Sequence, residues 1–165
     1  MAAQDVAGVK KNAGRQRCLI VFVDESGLST KPTRARTWAP RGQTPLLLES
    51  FNWKSLSVIG GLSLRRFYFQ IHKGSIKSAQ VIEFIKHLLR HLKRRILIIW
   101  DGAAIHRSKE VRAYIASTRG RVQAERLPPY APELNPVEYM WAHLKSHEIA
   151  NLIVTEAWEL SFEAT

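Results

Sequence analysis

Residues 96–111, ILIIWDGAAIHRSKEV, carry the pattern that decides the fold: an apolar run that stops at an acidic residue, Asp101. An uninterrupted apolar run of this length is typical of a strand that is buried on both faces of a sheet. Residues 18–26, CLIVFVDES, repeat the pattern near the N-terminus, where the apolar run ends at Asp24. The two stretches therefore predict two buried strands, each followed by a carboxylate.

A third acidic residue, Glu138, lies in the proline-rich stretch ERLPPYAPELNPVEYMW at 125–141. Asn135 followed by Pro136 is typical of a helix start, with Asn as the cap and Pro at the first position. Glu138 then falls in the first turn, where the helix dipole favours its ionised form. The spacing also fits a capping box, in which the Glu138 side chain accepts a hydrogen bond from the Asn135 amide. On spacing alone, the capping role is favoured.

Apolar periodicity predicts the rest of the fold. Segments rich in β-forming residues, separated by turn residues such as Gly60-Gly61, predict an antiparallel meander, and apolar residues at helical spacing predict helices between the later strands. The predicted elements are strands 18–23, 46–50, 55–60, 66–71, 96–100 and 122–127, and helices that begin at Ser78, Ser108 and Asn135. A helix that joins two strands of one sheet leaves them parallel. We therefore expect an α/β fold whose mixed central sheet, antiparallel strands followed by parallel ones, is flanked by helices.

In such a sheet, strands 18–23 and 96–100 lie side by side and bring Asp24 and Asp101 to one edge. Converging carboxylates repel one another and take raised pKa values unless a cation is present. Magnesium suits such a group because it prefers oxygen ligands, and two ions can act together in phosphodiester displacement. The duller interpretation is that an Asp after a strand only starts a turn. Glu25 and Glu133 are alternative ligands.

Other polar and aromatic residues near these motifs have ordinary structural interpretations. His106 is expected to hydrogen-bond at the start of the following helix rather than to act in catalysis. Trp100 and Trp141 are expected in the core. Trp38 lies in a long basic loop, 27–45, and is the better candidate for stacking on a nucleic-acid base.

The charge balance points to a polyanionic partner. The chain of 165 residues carries 25 Lys and Arg against 14 Asp and Glu, a net charge of +11. The excess is concentrated at 31–41 and 86–95, which are the expected phosphate contacts.

Cys18 is the only cysteine, which excludes an internal disulfide and a thiolate metal site. With no signal-like or membrane-spanning run, we expect a cytoplasmic, nucleoid-associated protein without a membrane partner. The predicted organisation is a flexible basic arm (1–17), a catalytic domain (18–150) and an acidic tail (151–165).

Three motifs together resemble the catalytic domain of mariner-like DDE transposases, in particular their bacterial insertion-sequence relatives. They are FVDESG with RTWAPRGQTP, WDGAAIHRSKEV, and LPPYAPELNPVEYMWAHLK. The third, which ends in Asn-Pro-Val-Glu, is the most specific, and the resemblance extends from about Val21 to Asn151. It implies an RNase H-like fold and identifies Asp24, Asp101 and Glu138 as the metal-binding catalytic triad, with Glu138 preferred to Glu133.

The resemblance also implies a function: metal-dependent cleavage of double-stranded DNA to give a 3′-hydroxyl, followed by strand transfer, with insertion at TA dinucleotides. Two Mg²⁺ ions, replaceable by Mn²⁺, are the implied cofactors, and a homodimer is the implied assembly. Gly102 departs from the family, since many members have Asn there, and the separation of Asp101 from Glu138 is slightly wide. No helix-turn-helix domain precedes residue 18, so a separate helix-turn-helix subunit or reading frame is an expected partner. The alternative is a non-catalytic DNA-binding or assembly module, a partial or decayed transposase.

Overall fold

The structure, a computed structural model, describes residues 18–29, 41–42, 55–128 and 134–145. The elements in chain order are β1 (Leu19–Ser29), β2 (Ser55–Ser63), β3 (Phe67–Lys73), α1 (Ser78–His91), β4 (Ile96–Trp100), a 3-10 turn (Ile105–Arg107), α2 (Lys109–Ser117), β5 (Val122–Arg126) and α3 (Val137–His143). The predicted strand 46–50, Trp38, Glu133, the arm 1–17 and the tail 151–165 lie outside the described residues, so those predictions stay predictions.

The strands form one mixed sheet in the order β3-β2-β1-β4-β5. β1 pairs antiparallel with β2, and β2 pairs antiparallel with β3. β1 and β5 both pair parallel with β4. The α1 crossover from β3 and the α2 crossover from β4 account for the parallel half, because a strand–helix–strand unit returns the chain in the same direction. The predicted mixed sheet, with the two apolar strands adjacent, is confirmed.

β1 is longer than the sequence indicated. The prediction that it ends before Asp24 is wrong, because pairing with β2 continues past the acidic residue to Ser29. Pairing with β4 does stop early, at Phe22 opposite Ile99. Asp24 therefore lies within a strand that keeps one neighbour and has just lost the other. An apolar run indicates where a strand is buried on both faces of the sheet. It does not indicate how far the strand continues once it pairs with only one neighbouring strand.

Gly60 and Gly61 lie inside β2, so their assignment as a break between strands is also wrong. The chain turns instead at Ser63, whose backbone N–H donates to the Arg66 carbonyl at 2.9 Å. The glycines provide space. A Cβ at Gly61 would lie 3.1 Å from Phe84, and one at Gly60 would overlap the indole of Trp141. Glycine in a strand here marks close approach rather than a turn.

The sheet is buried on both faces. One face packs against α1 and α2, through a cluster that includes Val21, Ile59, Phe84, Leu88 and Ile98. The other face packs against α3 through Val58, Val137 and Trp141, and continues toward Leu97 and Ile99. All five residues of β4 are buried, as the uninterrupted apolar run predicts. No helix in the described part of the chain is long and apolar enough to cross a membrane.

Two of the three predicted helix starts shift by one residue. Ser108 caps α2 as expected, and its hydroxyl accepts from the Val111 amide at 3.2 Å. α1 instead takes Lys77 as its cap, with Ser78 as the first helical residue. α3 takes Pro136 as its cap rather than as its first residue. Asn135 still serves the helix start, because its Oδ1 accepts from the Val137 amide at 3.3 Å.

Candidate catalytic site

Asp24 and Asp101 come from adjacent strands at the same level of the sheet. The last parallel pair is Phe22 with Ile99, and each acid lies two residues beyond its member of that pair. Because side chains alternate along a strand, Asp24 shares the face of Phe22, the face that α3 covers. Asp24 is 8% exposed, whereas the Asp101 side chain is 52% exposed. The site therefore joins a buried carboxylate to an accessible one.

Trp141 of α3 holds the buried carboxylate. Its indole Nε1 donates to Asp24 Oδ2 at 2.8 Å. The ring reaches this position because Gly60, the residue paired with Asp24 on β2, has no side chain. Phe67 packs edge-on against the indole with ring centroids 5.6 Å apart. Trp141 was predicted as a core residue, which it is, and it is also the residue that orients Asp24.

The pKa of Asp24 is raised from 3.8 to about 6. Burial is the largest cause, since it disfavours the charged form. The Trp141 hydrogen bond opposes the shift, and the negative charges of Glu138, Glu25 and Asp101 each add to it. The three further carboxylates therefore act electrostatically on Asp24. The site carries an excess of negative charge that a bound cation would relieve.

Asp101 has one oxygen engaged and one open. Its Oδ1 accepts from the Ala103 amide at 2.9 Å, so Asp101 starts a turn, as an Asp that follows a strand often does. The same Oδ1 lies 2.9 Å from Nδ1 of His106. Within the described residues, Oδ2 has no hydrogen-bond partner. The turn fixes the carboxylate without using all of its capacity as a ligand.

His106 connects the two strands behind the site. Its Nε2 lies 3.0 Å from Glu25 Oε1, and its ring stacks on Trp100 at a centroid distance of 4.3 Å with an interplanar angle of 1°. The contact of Nδ1 with Asp101 is close but is not aligned as a hydrogen bond among the described residues. The residue was expected to hydrogen-bond near a helix start, and it does so with a carboxylate from β1.

Burial lowers the pKa of His106, but the Glu25 hydrogen bond and the negative charges of Glu25 and Asp101 outweigh burial, so that pKa is raised overall. The neighbouring carboxylates thus favour the protonated form of this imidazole. Glu25, one of the alternative ligands, is engaged through Oε1 by this histidine. That contact orients the Glu25 carboxylate through one of its two oxygens.

Glu138 lies exposed in the first turn of α3. Its backbone N–H donates to the Asn135 carbonyl at 3.2 Å. Among the described residues its side chain makes no capping-box bond to Asn135, although spacing favoured that role. Its carboxylate therefore has no hydrogen-bond partner among those residues, and its negative charge contributes to the raised pKa of Asp24.

The donor chemistry of Asp24, Asp101 and Glu138 fits a hard divalent cation, because each offers a carboxylate oxygen with no partner among the described residues. Their spacing is wider than a shared ion needs. In the described ranges, no three His, Cys, Asp or Glu side chains stand close enough together to hold a metal. Mutual repulsion favours such a separation, and cation binding would have to draw the acids together.

The basic surface at 86–95 lies away from these acids. Its last basic residue, Arg95, directly precedes β4, whereas Asp101 directly follows it. The two Cα atoms are therefore separated by roughly 20 Å along the strand. Lys86 rests over the Tyr114 ring, with Nζ 5.5 Å from the centroid. Phosphate contacts at this surface would therefore anchor DNA at a distance from the carboxylates.

A sequence model of the DDE superfamily endonucleases matches residues 19–160. The chain belongs to this family. The match spans all three acids. Comparison with curated proteins gave no match.

The fold matches solved structures of Mos1 transposase. A pre-cleavage Mos1 transpososome matches with a TM-score of 0.71 and 19% identity over 98% of this chain and 51% of that one. The Mos1 paired end complex with Mg gives 0.70 and 18% over 98% and 50%. The isolated catalytic domain of Mos1 gives 0.65 and 16% over 98% and 74%. This chain thus spans about half the length of the full Mos1 chains, and its predicted RNase H-like fold is confirmed.

Several residues that shape the site have roles that local sequence patterns do not reveal. Trp141 as a donor to Asp24, Gly60 as the space for its ring, and His106 as the contact of Glu25 all depend on pairing between distant segments. The glycine pair at residues 60 and 61 is the one available signal, and from the sequence alone it predicts a turn.

Proposed function

We propose that this chain is the catalytic domain of a DDE transposase, which cleaves double-stranded DNA to leave a 3′-hydroxyl and joins that hydroxyl to a target. The observation that carries the proposal is that adjacent parallel strands bring Asp24 and Asp101 to the same level of the sheet. Glu138, in the first turn of α3, lies near enough for its negative charge to help raise the pKa of Asp24, although burial is the larger cause. Membership of an endonuclease family supports the same reaction class. Mos1 transposase itself has been solved in paired-end complexes with a transposon end, with Mn and with Mg.

Asp24, Asp101 and Glu138 would hold the metal, with Asp24 and Asp101 as the ligands contributed by the sheet and Glu138 as the ligand contributed by α3. We propose Mg²⁺, replaceable by Mn²⁺, and two ions at the working site. Bound there, the metal would activate the attacking water or 3′-hydroxyl and stabilise the leaving oxygen.

The chain's own residues prepare the site for this role. Trp141 fixes one oxygen of Asp24 and leaves the other open. The turn at Ala103 does the same for Asp101. His106 and Glu25 hold the two strands at a fixed distance behind the acids, and outer contacts of this kind orient metal ligands. Glu138 comes from a separate helix, so its distance from Asp24 and Asp101 depends on how α3 packs against the sheet.

The test is metal-dependent nicking of a supercoiled plasmid by wild type and by Asp101→Asn. Asn keeps an oxygen that can accept from the Ala103 amide, so the turn survives while the negative charge is lost. We expect nicking in Mg²⁺ or Mn²⁺ by wild type and none above background by the variant, with DNA affinity unchanged. Glu83→Gln, an equal change of charge on the exposed face of α1, is the matched control and should nick normally.

Retained nicking in Asp101→Asn would remove Asp101 from the site. A wild-type protein that binds DNA but never nicks it in either metal would favour the other candidate, a non-catalytic DNA-binding or assembly module. The observation that favours this second candidate is the wide spacing of the acids in the described residues.

A further inference from the structure

Arg126, the last residue of β5, reaches across to the loop that follows Asp101. It is paired with Trp100 on β4, and the next residue, Leu127, donates its N–H to the Trp100 carbonyl at 2.8 Å. Arg126 is exposed, yet its side chain folds back over Gly102. A Cβ at Gly102 would overlap Nη2 of Arg126 and lie 3.3 Å from Cζ. The guanidinium thus occupies the place of a side chain at residue 102.

The absence of a side chain at Gly102 is explained by this contact and by nothing in the backbone. Among the described glycines, those with positive φ are Gly42, Gly74 and Gly120, so the conformation at residue 102 suits any L-residue. Glycine there keeps the space next to Asp101 open for the guanidinium. A larger residue would push Arg126 away, at little cost to the fold, because the displaced group is the end of a flexible side chain.

The guanidinium is also uncommitted. Within the described ranges it makes no hydrogen bond and no ion pair, and the ion pairs recorded at the site belong to His106. Five N–H donors in a planar fork are matched to phosphate oxygens. A cation that lies against the residue after Asp101, and that makes no ion pair within the described ranges, is suited to an anion that arrives from outside.

We propose that Arg126 binds a non-bridging oxygen of the phosphate that is cleaved, and that Gly102 is the residue that admits it. This inference rests on the proposed function, since it names a further substrate contact of the same site. Positive charge at that oxygen would offset the negative charge that develops as the attacking and leaving oxygens share the phosphorus. The contact should therefore act on turnover more than on binding of the whole duplex, which many other basic residues support.

The experiment compares wild type, Arg126→Gln, Arg126→Lys and Gly102→Ala in Mn²⁺-dependent nicking at saturating DNA. Loss of one preorganised donor at a reacting oxygen lowers turnover by about 100-fold, and we expect that loss for Arg126→Gln. Arg126→Lys should be faster than Arg126→Gln but slower than wild type. Lysine keeps the positive charge but lacks the planar set of N–H donors of the guanidinium. Gly102→Ala should lower turnover as much as Arg126→Gln does. The arginine is intact in that variant, but the new methyl group displaces its guanidinium. Arg112→Gln, an exposed arginine on α2, is the control and should keep the wild-type rate.

The concentration of DNA that gives half-maximal nicking and the melting temperature should stay near the wild-type values in all four variants. Wild-type turnover in Arg126→Gln, or a loss that appears only as weaker binding or lower melting temperature, would overturn the inference while leaving the proposed function standing. Failure of wild type itself to nick would count against the proposed function. A second readout needs no turnover: the guanidinium ¹⁵N resonances of Arg126 should shift when a short duplex is added in Ca²⁺. Unchanged resonances would overturn the inference in either case.

Discussion

At the scale of single residues, Asp24 combines features that a purely structural carboxylate would not need. It is buried, it sits among other acids, and its pKa is raised to about 6. A folded-state pKa above the ordinary value means that, between the two, the folded protein holds a proton that the unfolded chain has lost. The stabilising contribution of protonated Asp24 is therefore complete below about pH 4 and is lost as the pH rises through about 6.

Asp24→Asn should raise the free energy of unfolding of the metal-free protein by up to about 3 kcal/mol at pH 8. It should raise it little at pH 3, which lies below both the folded and the unfolded pKa, so that Asp24 is largely protonated in both states. Urea unfolding at the two pH values measures this. The raised pKa of His106 gives stability that is likewise lost as pH rises, but it is shared by both proteins and cancels in the difference. Mg²⁺ should stabilise wild type and not the variant. Equal stability of the two proteins at pH 8 would contradict this account of Asp24.

Trp141→Phe keeps an aromatic ring over Gly60 and removes the donor to Asp24. Because that bond lowers the pKa of Asp24, its loss should raise the pKa further above 6. The free energy of unfolding should fall by about 2 kcal/mol at pH 8, and by less at pH 5, where the carboxyl is neutral. Carboxyl ¹³C titration by NMR gives the pKa and urea unfolding gives the stability. A pKa that is unchanged or lowered would show that the indole does not hold Asp24.

At the scale of elements, the seating of α3 on the sheet decides whether Glu138 can approach the other acids. β2 admits the Trp141 ring at Gly60, where a Cβ would lie 2.6 Å from the indole and 2.8 Å from Phe67. Gly27 on β1 has nothing within 4 Å of the same position and so provides a matched comparison. One strand glycine therefore positions a helix, and the other does not.

Gly60→Ala should lower the free energy of unfolding by about 1–3 kcal/mol, because overpacking forces the ring or the helix to move. It should also reduce metal-dependent nicking, since α3 carries Glu138. Gly27→Ala should stay within about 0.5 kcal/mol of wild type and nick normally. Thermal unfolding and the plasmid assay give both values. A neutral Gly60→Ala would mean that α3 is not seated through Trp141.

The same elements show which parts of the fold a sequence can predict. The apolar runs of β1 and β4 predict adjacency and parallel direction, because continuous burial and a helical crossover leave few arrangements. The extension of β1 past Asp24 and the strand conformation of Gly60 depend on β2, a partner remote in sequence. Local patterns do not contain that information. The acids themselves were identifiable, but the residues that hold them were not, since Trp141 and His106 act across long sequence separations.

At the scale of the whole molecule, a net charge of +11 predicts DNA binding driven largely by release of counterions. The logarithm of the affinity for a short duplex should fall linearly with the logarithm of the salt concentration. Arg90→Gln and Lys93→Gln should each reduce that slope by about 1. Both residues lie on the basic surface at 86–95, away from the end of β4 that carries Asp101. Neither should change the nicking rate at saturating DNA. Fluorescence anisotropy at several salt concentrations measures the slope, and an unchanged slope in both variants would exclude this surface from DNA binding.

We propose that Asp24, Asp101 and Glu138 close on a divalent metal when DNA is bound. Anomalous scattering from Mn²⁺ in crystals of the protein with a short duplex would locate the metal. We expect an anomalous peak within about 2.2 Å of oxygens from all three residues, with Trp141 still donating to Asp24. Mn²⁺ bound elsewhere, with the three acids ordered, apart and free of metal beside the DNA, would contradict it.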